Sequence, residues 1–121
     1  MTKAVSIPVS RQGKVRVLVV EDEAIVALDI GHQLDLLEYE LVARTPEGEE
    51  ALLLAEQHRP DLVLMDISLA GEMDGISAAR AIRDRFSLPV VFLTALTDRE
   101  TLERAREAEP FGYIIKPFDE R

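Results

Sequence analysis

The chain contains no cysteine. Disulfide bonds and thiolate metal sites are therefore excluded. Long apolar segments are also missing: no apolar run exceeds about six residues, against the roughly 20 needed to span a bilayer. The stretch from Met1 to Lys14 carries Lys3, Arg11 and Lys14 but no apolar core of a secretion signal. These absences predict a cytoplasmic protein with no membrane segment. Basic residues are scarce, 14 against 23 acidic ones, for a net charge of −9. That balance repels phosphate backbones, so direct nucleic-acid binding by this domain is not expected. A cation or a basic protein surface is the more natural partner, although such a charge also serves plain solubility. There is no internal repeat and no low-complexity tract. The segment "VVEDEA" has no G-x-G-x-x-G, which argues against a dinucleotide-binding fold.

What is present fits one domain: 121 residues, of which 47% are hydrophobic, enough for a packed core. Residues 1–13 show no periodicity and contain Pro8 and Gly13, so they are expected to form a flexible N-terminal arm ahead of a domain at 14–121. Five short runs rich in Val, Ile and Leu follow: "VRVLVV" (15–20), "ELVART" (40–45), "DLVLMD" (61–66), "PVVFLT" (89–94) and "GYIIK" (112–116). Continuous apolar runs of this length suit strands buried on both faces.

Amphipathic stretches separate the strands. Ala27, Ile30, Leu34 and Leu37 fall at helical spacing, as do Ala79, Ile82 and Phe86. Thr45 with Pro46 predicts the start of the second helix. Thr97 with Glu100 predicts a capping box for the fourth, with Leu102 and Ala105 as its thin apolar stripe. The alternation implies an α/β fold with a parallel sheet and helices on both faces. A fifth helix covering the last strand on the face of the first is not apparent before Arg121, so apolar sheet surface should be left open there. The expectation is a domain cut before or within its last helix.

In open parallel sheets, ligands bind beyond the carboxyl ends of the strands, where the strand order reverses. The first strand ends in Glu21, Asp22 and Glu23, the third in Asp66, the fourth in Thr94 and the fifth in Lys116. Each alone has a plain explanation: Asp22 as a helix cap, Thr94 as a strand residue, Lys116 as a surface charge. Their conjunction at one edge points to chemistry. Clustered carboxylates call for a cation among them, and an oxygen-only donor set favours Mg2+, with Mn2+ as a substitute. Asp22 and Asp66 can ligate directly, the backbone carbonyl of Ser68 can add a ligand, and Glu21 can act through water. A threonine hydroxyl and a lysine facing a metal-bound carboxylate form a cradle for a phosphoryl group, with Asp66 as nucleophile.

With these residues in place, the chain resembles the response-regulator receiver domains of two-component signalling. The resemblance covers about residues 15–120 and rests on "VLVVEDE" (17–23), "DLVLMDISLAGEMDG" (61–75), "PVVFLTA" (89–95) and "GYIIKPF" (112–118). It implies five parallel strands in the flavodoxin-like order 2-1-3-4-5. It makes Asp66 the phosphoacceptor, Glu21 and Asp22 the acidic pair for Mg2+, Thr94 the switch hydroxyl, Tyr113 the switch aromatic and Lys116 the family lysine, followed by a cis peptide bond to Pro117. It also implies a sensor histidine kinase or phosphotransfer protein as donor, and an output domain following the receiver. Catalysis would be limited to self-phosphotransfer and slow loss of the phosphoryl group. Oligomeric state, homodimer included, is left open.

The sequence departs from the family pattern at four places. Ala70 and Gly71 stand where the acceptor loop often carries proline, and Asp74-Gly75 come one residue late, so this loop should be longer and looser. Glu21 replaces a common aspartate. Pro110 and Phe111 occupy a turn that is often Gly-Ala. Leu96 would not orient water by hydrogen bonding, which predicts slow self-dephosphorylation. His32 and His58 lie in helical stretches away from the acidic edge and read as surface or packing residues. Two other functions fit less well: a Mg-dependent phosphohydrolase with an aspartyl nucleophile, disfavoured by Ser68 where such enzymes place a second aspartate, and a pseudo-receiver that only binds partners, disfavoured by the complete acid-threonine-lysine set.

Overall fold

In the computed structural model, described for residues 13–69, 73–94 and 99–115, each apolar run becomes a strand and each amphipathic stretch a helix. In chain order these are β1 (Arg16–Val20), α1 (Ala24–Leu36), β2 (Glu40–Thr45), α2 (Gly48–His58), β3 (Leu62–Asp66), α3 (Gly75–Phe86), β4 (Val90–Thr94), α4 (Arg99–Glu107) and β5 (Gly112–Ile115). The strands form one parallel sheet in the order β2-β1-β3-β4-β5. The chain builds outward first to one side of β1 and then to the other, so the order reverses between β1 and β3.

Burial explains why β1, β3 and β4 need no polar alternation. All five residues of β3 are buried, as are four of the five in β1. One face of the sheet packs Leu18, Val20, Val63, Met65 and Phe92 against Ala51 and Ala55 of α2, against Ile76, Ala79 and Ile82 of α3, and against Ala105 and Ala108 at α4. The small residues let three helices approach that face closely. The opposite face packs Val17, Val19, Leu62, Leu64 and Leu93 against Ile30 and Leu34 of α1.

Beside α1, an open apolar groove of about 200 Å³ is lined by Ile30, Gln33, Leu34, Leu37, Leu64, Leu93 and Ile114. At the sheet edge beside it, Tyr113, Ile114 and Ile115 of β5 are 42%, 40% and 52% exposed. Among the described residues the sheet carries four helices, and none is long and apolar enough to cross a membrane.

Two local expectations need correction. The second helix starts at Gly48 rather than Pro46. Thr45 does not cap its first turn conventionally. Its Oγ1 accepts the Glu47 N–H and donates to the Glu50 carboxylate, ending β2 in a turn that delays the helix. Leu37, placed on the buried stripe of α1 by spacing, is 62% exposed. The helix stops at Leu36, Glu38 takes a left-handed conformation (φ 64°), and the turn carries Leu37 to the lip of the groove. The expected capping residue Thr97 lies outside the described residues.

Candidate functional site

The site is built where the strand order reverses. Val20 pairs with Met65, so the next residues, Glu21 and Asp66, emerge side by side from β1 and β3. The two following helices depart to opposite faces, α1 to one and α3 to the other, which opens a crevice between them. Glu21 is only 4% exposed although it follows the strand. Its N–H donates to the Thr45 carbonyl at 3.0 Å, which continues the β1–β2 ladder by one step. Its carboxylate Oε2 accepts the Glu23 N–H at 3.1 Å, folding the side chain back over the first turn of α1. Asp22, between them, is exposed.

Asp66 ends the fully buried strand and is itself 4% exposed. Its Oδ1 accepts the Ser68 N–H at 3.1 Å, an Asx-type turn that releases the chain from the sheet. The ladder to β4 persists past this point, with Ile67 N–H donating to Leu93 O at 3.1 Å. Both neighbours of Asp66 are thus pinned, and the carboxylate projects from a rigid base.

Carboxylate oxygens of Glu21, Asp22 and Asp66 lie within 4.8 Å of one another. Three anionic oxygen donors at that separation suit a hard divalent cation. Thr94 stands at the end of β4, one residue beyond the Asp66–Leu93 pair. It is 4% exposed, and its hydroxyl has no hydrogen-bond partner among the described residues. A buried hydroxyl without a partner costs about 1–3 kcal/mol, so such a group calls for an explanation.

Tyr113 pairs with Phe92 across β4 and β5, with ring centroids 6.1 Å apart and the planes tilted by 38°. Phe92 is fully buried, whereas Tyr113 is half exposed at the sheet edge. Lys116 with its peptide bond to Pro117, Leu96, and the loop positions Ala70 and Gly71 lie outside the described residues. Ser68 is exposed beside Asp66. His32 and His58 lie on α1 and at the end of α2, as expected.

Three positions gain a role that the sequence pattern did not give them. Thr45 holds Glu21 through its backbone carbonyl. Gly75 opens α3 directly against the end of β3: a Cβ there would fall 1.9 Å from the Asp66 carbonyl oxygen. Asp74 caps α3 by accepting the Ser77 N–H at 2.8 Å, and its other oxygen meets the Arg104 guanidinium of α4 at 3.2 Å. Partial burial pushes the Asp74 carboxyl up, but the Ser77 hydrogen bonds and the Arg104 charge outweigh it and hold the group below the ordinary carboxylate value. The Asp74-Gly75 pair is visible in sequence as a turn signal; its contacts are not.

Comparison with known proteins decides the family. The sequence profile of the response regulator receiver domain matches residues 17–121. This chain belongs to that family. As a receiver domain it is a signalling module of two-component systems, and its flavodoxin-like strand order is the family's. It is 45% identical over 103 residues to the transcriptional regulatory protein PdtaR of Mycobacterium tuberculosis, covering 85% of this chain and 50% of that protein. The receiver therefore spans about half the length of the curated relatives it matches. Among solved structures, it resembles the signal receiver domain of a modulated diguanylate cyclase from Desulfovibrio desulfuricans, with 39% identity and a TM-score of 0.83 over 86% of this chain and 82% of that one. It also resembles the Vibrio cholerae chemotaxis protein CheY4, with 27% identity and a TM-score of 0.75 over 88% and 89% of the two chains.

Proposed function

We propose that this receiver takes a phosphoryl group onto Asp66 from the phosphohistidine of a sensor histidine kinase or phosphotransfer protein, and that the modified state changes how the domain meets its partner or a following output domain. The observation that carries the reading is the meeting of a rigidly held carboxylate, Asp66, with two further carboxylates, at the end of a sheet where the buried Thr94 hydroxyl has no partner among the described residues. In the transfer, an Asp66 carboxylate oxygen attacks phosphorus, the P–N bond breaks, and the imidazole leaves with its ring nitrogen as acceptor for a proton. Glu21, Asp22 and Asp66, with the Ser68 carbonyl, are the residues that would hold Mg2+. When bound, the ion neutralises charge on the phosphoryl oxygens. The Thr94 hydroxyl donates to a phosphoryl oxygen. Lys116 adds a second positive charge.

The transferred group then biases a two-state equilibrium. Thr94 is drawn toward the acceptor, Tyr113 follows into the space beside Phe92, and the α4–β5 surface changes. The test is intact-mass analysis after incubation with an acyl phosphate and Mg2+. One phosphoryl adduct, absent in Asp66→Asn and without added metal, supports the reading. Steady donor hydrolysis without an adduct points to a phosphohydrolase. Neither adduct nor hydrolysis points to a pseudo-receiver.

A further inference from the structure

We infer that Arg104 of α4 is a positioning residue that acts through Asp74 on the acceptor Asp66, giving α4 a mechanical line to the reaction centre separate from Thr94 and Tyr113. The inference rests on Asp66 being the phosphoacceptor. Its first link is the contact of α3 with the acceptor strand. Gly75, the first residue of α3, donates its N–H to Ile67 O at 3.1 Å. A Cβ at Gly75 would lie 1.9 Å from Asp66 O, 2.9 Å from Asp66 C and 2.9 Å from Ile67 O. The helix start is seated on the Asp66–Ile67 peptide with no slack, so a shift of a few tenths of an ångström at α3 is passed to the backbone that carries the nucleophile.

The second link is Asp74, the residue before Gly75. One carboxylate oxygen caps the helix at Ser77 N–H (2.8 Å) and the other takes Arg104 Nη2 (3.2 Å). A single side chain thus fixes both the start of α3 and its tie to α4. The third link is the way α4 is held. Only Ala105 and the following Ala108 bury fully from this segment, with Leu102 partly buried. A second polar tie to α3 lies at the far end, where Arg83 Nη1 donates to Ala108 O at 2.6 Å and meets Glu109 at 3.2 Å. The near tie touches the acceptor loop; the far tie does not. Both Asp74 and Arg104 are about half exposed (42% and 51%), so their pair adds little to stability, and its consequence is placement. A partner that draws Arg104 away would release Asp74 and, through the start of α3, change the placement of Asp66.

The experiment compares the parent with Arg104→Ala, Asp74→Asn and Arg83→Ala. Asparagine caps a helix as well as aspartate does, so Asp74→Asn removes the ion pair and spares the fold. The measured quantity is the rate of adduct formation from acetyl phosphate at saturating Mg2+, followed by intact mass, with melting temperatures in parallel. Arg104→Ala and Asp74→Asn are expected to shift the rate in the same direction by about two- to five-fold, the range of a half-exposed pair. The double variant should shift it no further, and high salt should bring the parent toward the variants. Arg83→Ala should leave the rate unchanged. Unchanged rates in the first two variants, or an equal shift in Arg83→Ala, overturn the inference. If the parent takes no phosphoryl group, the acceptor reading fails instead. The positioning is then read from the backbone amide resonances of Ile67 and Ser68. Movement in Arg104→Ala and Asp74→Asn but not in Arg83→Ala supports it, and unmoved resonances overturn it.

Discussion

Strands β3 and β5 belong to the same sheet and are both short and apolar, yet the molecule treats them oppositely. Every residue of β3 is buried, whereas β5 exposes Tyr113, Ile114 and Ile115. The central strand is clamped between β1 and β4 and covered by helices on both faces; the edge strand has one neighbour and borders the open groove. On the proposed function, the difference separates two tasks. A nucleophile must be held within a few tenths of an ångström, which a central strand does. A signal must be displayed and changed at low cost, which an edge strand with half-exposed side chains allows.

The largest test of this contrast is a pair of truncations. Met65→Ala in β3 removes a fully buried side chain and should cost about 2–5 kcal/mol. Ile115→Ala in β5, at 52% exposure, should stay within about 1 kcal/mol. Equal losses by urea unfolding would erase the distinction. Next comes Gly75→Ala. Its Cβ cannot fit beside the Asp66 carbonyl, so α3 must shift, at about 1–3 kcal/mol. The rate of adduct formation should fall with it, and a variant with parental stability and rate would show the contact to be soft.

Thr94→Val should act with the opposite sign. It removes a buried hydroxyl without a partner among the described residues and should stabilise the fold by up to about 1 kcal/mol. The same change should shorten the lifetime of a phosphoryl group on Asp66. A destabilised variant would mean the hydroxyl is satisfied.

The smallest effect concerns acid. The Asp74 carboxyl is held below its ordinary value, so its contribution is present above about pH 4 and lost as pH falls through the lowered folded value. Asp74→Asn should therefore flatten the acid limb of the stability curve, by a few tenths of a kcal/mol for a pair this exposed. An unchanged acid limb in thermal melts would remove Asp74 from the account.

The strands were legible nearly to the residue, because burial on both faces writes itself into a continuous apolar run. "DLVLMD" became Leu62–Asp66 and "ELVART" became Glu40–Thr45. The carboxyl-end residues Glu21, Asp22, Asp66 and Thr94 were legible for the same reason: once the strands are placed, their ends are placed. The start of α2 was not, since Thr45 offered an equally good cap by type and its hydroxyl was taken by a turn instead. Leu37 failed because periodicity says nothing about where a helix stops.

From the sequence alone came the element order, the lack of cysteine thiols and the types of group gathered at the strand ends. These depend on composition and on periods of two or 3.6 residues, which are local. The tertiary structure alone decided which groups touch. It brought the Glu21, Asp22 and Asp66 oxygens within 4.8 Å, left the Thr94 hydroxyl without a described partner and seated Gly75 on the Asp66 carbonyl. It also joined Arg104 to Asp74 across 30 residues of chain. Such contacts arise from the packing of distant elements against one sheet, and no local pattern encodes them.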